Sequence, residues 1–288
     1  MSDTDIIKII NAEKAKKYLD ENKRIDGRDF LEYRPLEIKR GVMKSADGSA
    51  WVKLGDTEII AGVKFAVGTP YPDSPDEGSI VVNLEMSGIA ASDINTGPPR
   101  IDAMEYGRIV DRVIRSSECI NFKDLSIVSG EKSFVVFVDC YTMNADGNLI
   151  DAAQYAAMAA LLDVCIPKLD ENNNIVLKEY TDKKLNIDFN KIAVSFTFGK
   201  YKDKLFIDPS EVEELGSDSR FTLGVCKNDV VAYHKGGGKG TFKIEEINKI
   251  MDIAATKYLE IKNKICDEQW VQRKLEKQEN TALEAELE

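Results

Sequence analysis

Residues 151–167 place the tightest limit on the fold, because Ala152, Ala153, Ala156, Ala157, Ala159 and Ala160 fall in a segment with helical character. Side chains this small let a helix backbone approach a sheet or a partner helix closely. Just upstream, Ser133 to Thr142 carries the strongest strand signal in the chain, and Asp146, Gly147 and Asn148 make the turn between the two. The same order, strands and then a long helix, recurs later. Strands are expected at 191–198, 204–207, 220–226 and 230–234, followed by the Gly236 to Gly240 loop and a helix over about 243–260. The repeat is one of element order and not of residues, so it fits two similar α/β halves or one α+β domain with an extra layer.

The rest of the chain supports this outline. Ile6, Ile7, Ile9, Ile10, Ala15 and Tyr18 among charged residues suit a helix over about 4–21 with one apolar face. Valine- and isoleucine-rich runs at 50–54, 58–67 and 79–86 predict strands. The period changes from Asp102, where Met104, Ile109, Val110, Val113 and Ile114 predict a helix to about Ser117. Residues 168–190 are polar and mark a boundary or crossover. Beyond Ile265 the chain is mostly Glu, Lys and Gln, with Trp270 and Leu275 as isolated apolar anchors.

Composition narrows the function. The 288 residues carry 39 Lys and Arg against 50 Asp and Glu, a net charge of −11, which excludes a globally basic nucleic-acid binder but not a local basic patch. No apolar run reaches membrane-spanning length, and the first 20 residues lack a secretory pattern, so a cytoplasmic protein is expected. The five cysteines are scattered and mostly set among apolar residues, reading as buried thiols. With His234 the single histidine, no histidine-based zinc cluster can be assembled.

Several features invite chemistry. Arg108, Arg112 and Arg115 stand at i, i+4 and i+7 on one helical face, with Arg100 in the loop just ahead. Guanidinium forks on one face suit phosphate oxygens, and the alternative is internal pairing, Asp111 with Arg115 and Glu105 with Arg108. The loop Gly236 to Gly240 before Thr241 departs from a Walker loop because Gly240 separates Lys239 from the hydroxyl, which favours a structural turn. The acids Asp208, Glu211, Glu213, Glu214 and Asp218 could hold magnesium or form a solvated face. Tyr71, between two prolines, could stack on a base or pack a loop. His234 has no partner at a diagnostic spacing and is expected to be structural.

Taken together, certain segments resemble the ribonuclease PH family. They are Arg24-Ile25-Asp26-Gly27-Arg28 with Arg34-Pro35, the Gly55-Asp56-Thr57 turn, Gly107 to Arg112, Val138-Asp139-Cys140 with Asp146-Gly147-Asn148, and Ile207-Asp208-Pro209. The resemblance implies an α/β (α+β) ribonuclease PH fold, of the ribosomal protein S5 domain 2-like type, with two βαβα halves packed together. Accordingly the chain divides into an N-terminal helix (1–22), a first half (23–185), a second half (186–265) and a charged tail (266–288).

The resemblance is to the non-catalytic ring subunit of the archaeal exosome. It implies a six-membered ring, a trimer of heterodimers with a catalytic sister subunit, RNA-binding cap subunits on one face, and single-stranded RNA as ligand. Active members of the family attack the terminal phosphodiester of RNA with inorganic phosphate. Their phosphate-binding segment corresponds to Asn148, Leu149, Ile150 and Asp151, where an aliphatic side chain and an acid replace what should hold an anion. Their catalytic acid pair falls on Glu214 and Arg220, so the second carboxylate has become a cation. The expectation is a chain without catalytic residues, cofactor or metal, whose Arg100, Arg108, Arg112 and Arg115 hold RNA for the sister. The competing expectations are an independently active phosphorolytic ribonuclease and a small-molecule phosphate transferase or kinase working through the glycine loop.

Overall fold

The computed structural model describes residues 3–91, 98, 100–227 and 229–266. The tail anchors Trp270 and Leu275, and most of the loop ahead of Arg100, lie outside the described residues. The element order is α1 (Asp3–Asp20), β1 (Leu36–Arg40), β2 (Gly48–Leu54), β3 (Thr57–Gly68), β4 (Ser79–Met86), α2 (Ile101–Ser116), β5 (Ser126–Val128), β6 (Lys132–Asn144), α3 (Leu149–Leu161), β7 (Cys165–Leu169) and β8 (Ile175–Lys184). The second half continues with β9 (Ala193–Tyr201), β10 (Lys204–Ile207), α4 (Glu211–Gly216), β11 (Ser219–Cys226), β12 (Asp229–Gly236) and α5 (Ile244–Cys266).

Two sheets organise the core. The first runs β1-β2-β3-β6-β4, antiparallel except where β4 lies parallel to β6, with β5 added to β6. The second is the antiparallel sheet β10-β9-β11-β12. Between them sits α3, which contacts β2, β3 and β6 of the first sheet and β9 of the second. Every residue of α3 is buried. A helix buried all round keeps no solvent face; its polar side chains Asp151 and Gln154 are satisfied by hydrogen bonds to β9, and its alanines let strands close in from both sides. β9 is buried at all nine positions because α3 covers one face and α5 the other.

The structure shifts three expectations. The alanine helix ends at Leu161 and not near Pro167, and Cys165–Leu169 instead pairs with β8 as a hairpin across the stretch expected to be a polar boundary. The 208–218 segment is not an open turn: Ser210 and Glu213 form a capping box that starts the short helix α4. The apolar isoleucines of α1 are exposed, 44–60 %, whereas Ala15 and Leu19 are buried. The reason is helical geometry. At about 3.6 residues per turn, Ile6, Ile7, Ile9 and Ile10 fall on the side of α1 opposite Ala15 and Leu19, and α4 packs on the side of Ala15, so the expected single apolar face does not form. Among the described residues no helix is long and apolar enough to cross a membrane.

Candidate functional site

The polar seam between the halves is where most of the singled-out acids are used. Arg24, 1 % exposed, donates to Glu213 through Nε at 2.8 Å and Nη2 at 2.5 Å, and to the carbonyls of Ile207 and Asp208 at 2.8 Å each. Arg34 grips Asp208 with Nε at 2.9 Å and Nη2 at 2.8 Å, while Arg28 Nη1 reaches the same carboxylate at 3.0 Å. Burial alone would raise the Asp208 carboxyl, but the Arg34 guanidinium overrides it and holds it below the usual range. Asp208 and Glu213 are therefore occupied by arginines and do not face a metal. Among the described residues no group of three or more His, Cys, Asp or Glu is placed to hold a metal ion.

The segment expected at the phosphate position turns inward. Gly147 has φ +76°, and a Cβ there would overlap the Glu211 backbone, so the turn demands glycine. Asn148 also adopts the left-handed region, φ +50°, and its Nδ2 donates to Asp151 at 3.0 Å and Asp208 at 2.7 Å. Asp151 was expected to set a negative charge against an incoming anion. Instead it is fully buried and accepts hydrogen bonds from Ser195 Oγ at 2.8 Å, Thr197 N at 2.8 Å, Thr197 Oγ1 at 2.9 Å and Tyr33 Oη at 3.1 Å. Burial raises its pKa, opposed by these donors. Its work is to tie the first turn of α3 to β9. Ile150 and Leu149 are also buried, Ile150 packing with Ile109, Val113 and Ala193. An apolar contact between α2 and β9 thus occupies the position where an anion-binding side chain was sought.

The two residues expected at the acid positions, Glu214 and Arg220, do come together. Glu214 and Arg220 line one small cavity of about 50 Å³ with Gly199, Pro209, Ser217, Ser219, Gly237 and Gly238. Glu214 Oε1 accepts from the Asn148 backbone at 3.0 Å; burial raises its pKa, and the Arg220 charge opposes the rise. Arg220 donates to Glu105 at 2.8 Å and to the Tyr106 hydroxyl at 3.0 Å, with its guanidinium 4.8 Å from the Tyr106 ring centroid. A carboxylate opposite a guanidinium cannot act as a carboxylate pair around a divalent cation, since the cation meets like charge. His234 Nε2 lies 3.7 Å from the same Glu105, and burial lowers the pKa of its ring.

The four arginines divide into two kinds. Arg100 pairs with Asp102 at 2.8 Å. Arg115 pairs with Asp111 at 3.1 Å and donates to the Ile80 carbonyl at 2.7 Å, which draws it toward β4. Arg108 and Arg112 are exposed, and neither has an ion-pair partner among the described residues. Of the two internal pairs expected as the alternative, Asp111 to Arg115 forms and Glu105 to Arg108 does not, because Glu105 is taken by Arg220. Both unpaired guanidiniums line a cleft of about 750 Å³ between α2 and the second sheet, walled opposite by residues 230–234 of β12 and floored by Ile109, Val113 and Gly224. Reasoning from sequence finds the arginines and misses this second wall, whose only sequence signal is the hairpin joining β11 to β12.

The remaining candidates are structural or isolated. A Cβ at Gly238, φ +45°, would overlap the Asp218 carbonyl, so the glycine is required by a close backbone approach there, while Gly237, Gly238 and Lys239 themselves stay exposed. Lys235 Nζ donates to the Gly238 carbonyl at 3.1 Å and so folds back onto the loop. Tyr71 is 64 % exposed in the loop between β3 and β4.

Comparison with known proteins places this geometry in a family. The two domain models of the 3′ exoribonuclease (RNase PH) family match residues 32–167 and 191–257 in order. The chain is 37% identical over 265 residues to the exosome complex component Rrp42 of Thermococcus kodakarensis, covering 92% of this chain and 97% of that one. Among solved structures, it is similar to a chain of the Archaeoglobus fulgidus exosome with RNA bound to the active site, with TM-score 0.80, 37% identity, and coverage of 88% of this chain and 98% of that one. A chain of an archaeal exosome core matches with TM-score 0.79 and 35% identity over 92% of this chain and 99% of that one. With both family domains present in sequence and a relative matched along nearly its whole length, the chain belongs to the 3′ exoribonuclease family of ribonuclease PH proteins.

Proposed function

We propose that this chain is a non-catalytic ring subunit of an archaeal exosome, working in the cytoplasm, and that it holds single-stranded RNA on Arg108 and Arg112. A sister subunit carries out the phosphorolysis. Ring membership is supported by the full-length similarity to Rrp42-type components and to archaeal exosome core chains. Following the family's assembly, the ring is a trimer of heterodimers, and RNA-binding cap subunits sit on one face. The observation that carries the non-catalytic reading is Arg220, which stands at the second acid position and is bound to Glu105 and Tyr106. The burial of Ile150 and the inward turn of Asp151 agree with it, since neither leaves a seat for the attacking phosphate.

RNA binding on a chain of net charge −11 needs only a local cationic surface. Arg108 and Arg112 supply it because nothing else in the described fold neutralises them. Arg100 and Arg115 serve in a lesser way, each sharing its charge with an aspartate. The test is to assay the purified chain alone, and then with its co-purified sister, on single-stranded RNA and inorganic phosphate. The expected result is release of nucleoside diphosphates only from the mixed assembly. Robust release by the chain alone overturns the reading in favour of an independently active ribonuclease.

A further inference from the structure

The cleft beside Arg108 and Arg112 offers more than two cations. Its floor is apolar: Ile109 and Val113 of α2 meet Gly224 of β11, and Ala232 of β12 packs against the same cluster. A Cβ built on Gly224 would lie 2.9 Å from Val113 Cγ2 and 3.5 Å from the Ala232 Cβ, so the floor is closed from below. The far wall is β12, which among the described residues is an end strand paired with β11 alone, so within them the backbone groups on its outer side have no sheet partner. Phosphate contacts by themselves need no such floor, because guanidiniums on an open helix face suffice. A cleft of about 750 Å³ is of the size that takes a small organic group, and base faces prefer flat apolar surfaces while base edges seek hydrogen-bonding groups.

We infer that this cleft seats a nucleobase of the single-stranded RNA whose phosphates Arg108 and Arg112 hold, with its edge turned toward the open backbone of β12. The inference rests on the RNA-holding role proposed above. The base lies over Ile109 and Ala232, between the two walls. Any base has a face that fits an apolar floor, so the seat tolerates sequence.

The test separates base from phosphate. Binding of the full-length chain is measured by fluorescence anisotropy for a single-stranded RNA oligomer and for an oligomer of the same length with abasic nucleotides, which keeps every phosphate. Two variants crowd the cleft from different sides, Ala232→Phe from β12 and Ser116→Trp from the end of α2. The native chain is expected to prefer the base-bearing oligomer by about tenfold. Each crowding variant is expected to lower that affinity to the abasic value and leave abasic binding unchanged; should one variant fail to fold, the other decides. Equal affinity for both oligomers in the native chain, or discrimination that survives in a folded crowding variant, overturns the base seat. If a folded crowding variant loses association with the sister subunit while discriminating as before, the cleft belongs to a protein strand added to β12, and the inference fails. Arg112→Glu keeps the two claims apart: it should weaken both oligomers, and if it weakens neither, the RNA-holding role itself falls.

Discussion

Asp208→Asn tests whether the seam between the halves is held by buried charge. The fully buried carboxylate accepts Arg34 Nε at 2.9 Å and Nη2 at 2.8 Å, the Arg34 backbone amide at 2.9 Å, Arg28 Nη1 at 3.0 Å and Asn148 Nδ2 at 2.7 Å. Asparagine keeps the shape and removes the charge, and its amide NH₂ cannot accept from these donors. Arg34, 6 % exposed, is then left with Asp146, whose side chain is 35 % exposed and 3.2 Å away. Removing one partner of a buried pair costs about 3–5 kcal/mol. At roughly 2–4 °C per kcal/mol for a chain of this size, the melting temperature should fall by roughly 6–20 °C. Asp26→Asn is the control. It pairs with Arg28 at 2.6 Å but its side chain is 34 % exposed, so its loss should stay within about 1 kcal/mol.

The pH dependence has a definite sign. Because Asp208 titrates below its ordinary value in the folded state, its contribution is complete above the usual aspartate pKa and is lost as pH falls through the depressed one. Urea unfolding of the native chain and the variant should therefore differ by a constant amount near neutrality, and the gap should close only below about pH 4. A loss under about 1 kcal/mol at pH 7, or a gap that closes between pH 6 and 5, refutes the buried-charge argument.

Three further outcomes are expected. Arg112→Glu should weaken RNA binding by the mixed ring while leaving assembly intact, and should flatten the dependence of log affinity on log salt by about 0.7 for each phosphate no longer neutralised; unchanged affinity at low salt counts against direct contact. Arg220→Asp should not create phosphorolysis in the isolated chain, because on the proposed reading Ile150 is buried where the anion would have to bind, and should destabilise by roughly 1.5–3 kcal/mol as the hydrogen bonds to Glu105 and Tyr106 disappear; diphosphate release on introducing this one acid would contradict the proposal. Gly238→Ala should cost more than about 1 kcal/mol in thermal unfolding and leave affinity for a nucleotide such as ATP unchanged, whereas ATP binding that disappears with the glycine would favour a transferase.

Much of the fold was legible along the chain because its signals are local. The all-buried helix α3 is announced by its alanines, β6 by its run of β-branched residues, and α2 by a change of period. The isoleucines of α1 misled because their number says nothing of their angular positions: the four lie opposite Ala15 and Leu19, which are the ones that pack. The hairpin β7–β8 was hidden for a different reason: its strands lean on each other, and their exposed faces carry the polar composition of a loop.

At the candidate site, residue chemistry determined by itself that Ile150 cannot hold an anion and that Arg220 cannot replace a carboxylate. Only the folded chain decided which way each charge points. Asp151 is turned inward by Ser195 and Thr197, more than forty residues away, and Arg115 and Arg108, alike in sequence, differ because Asp111 is one turn before the first while Arg220 takes Glu105 from the second. Charges are cheap to orient and expensive to leave unpaired, so their direction follows partners brought together by tertiary packing, which spacing along a helix does not record.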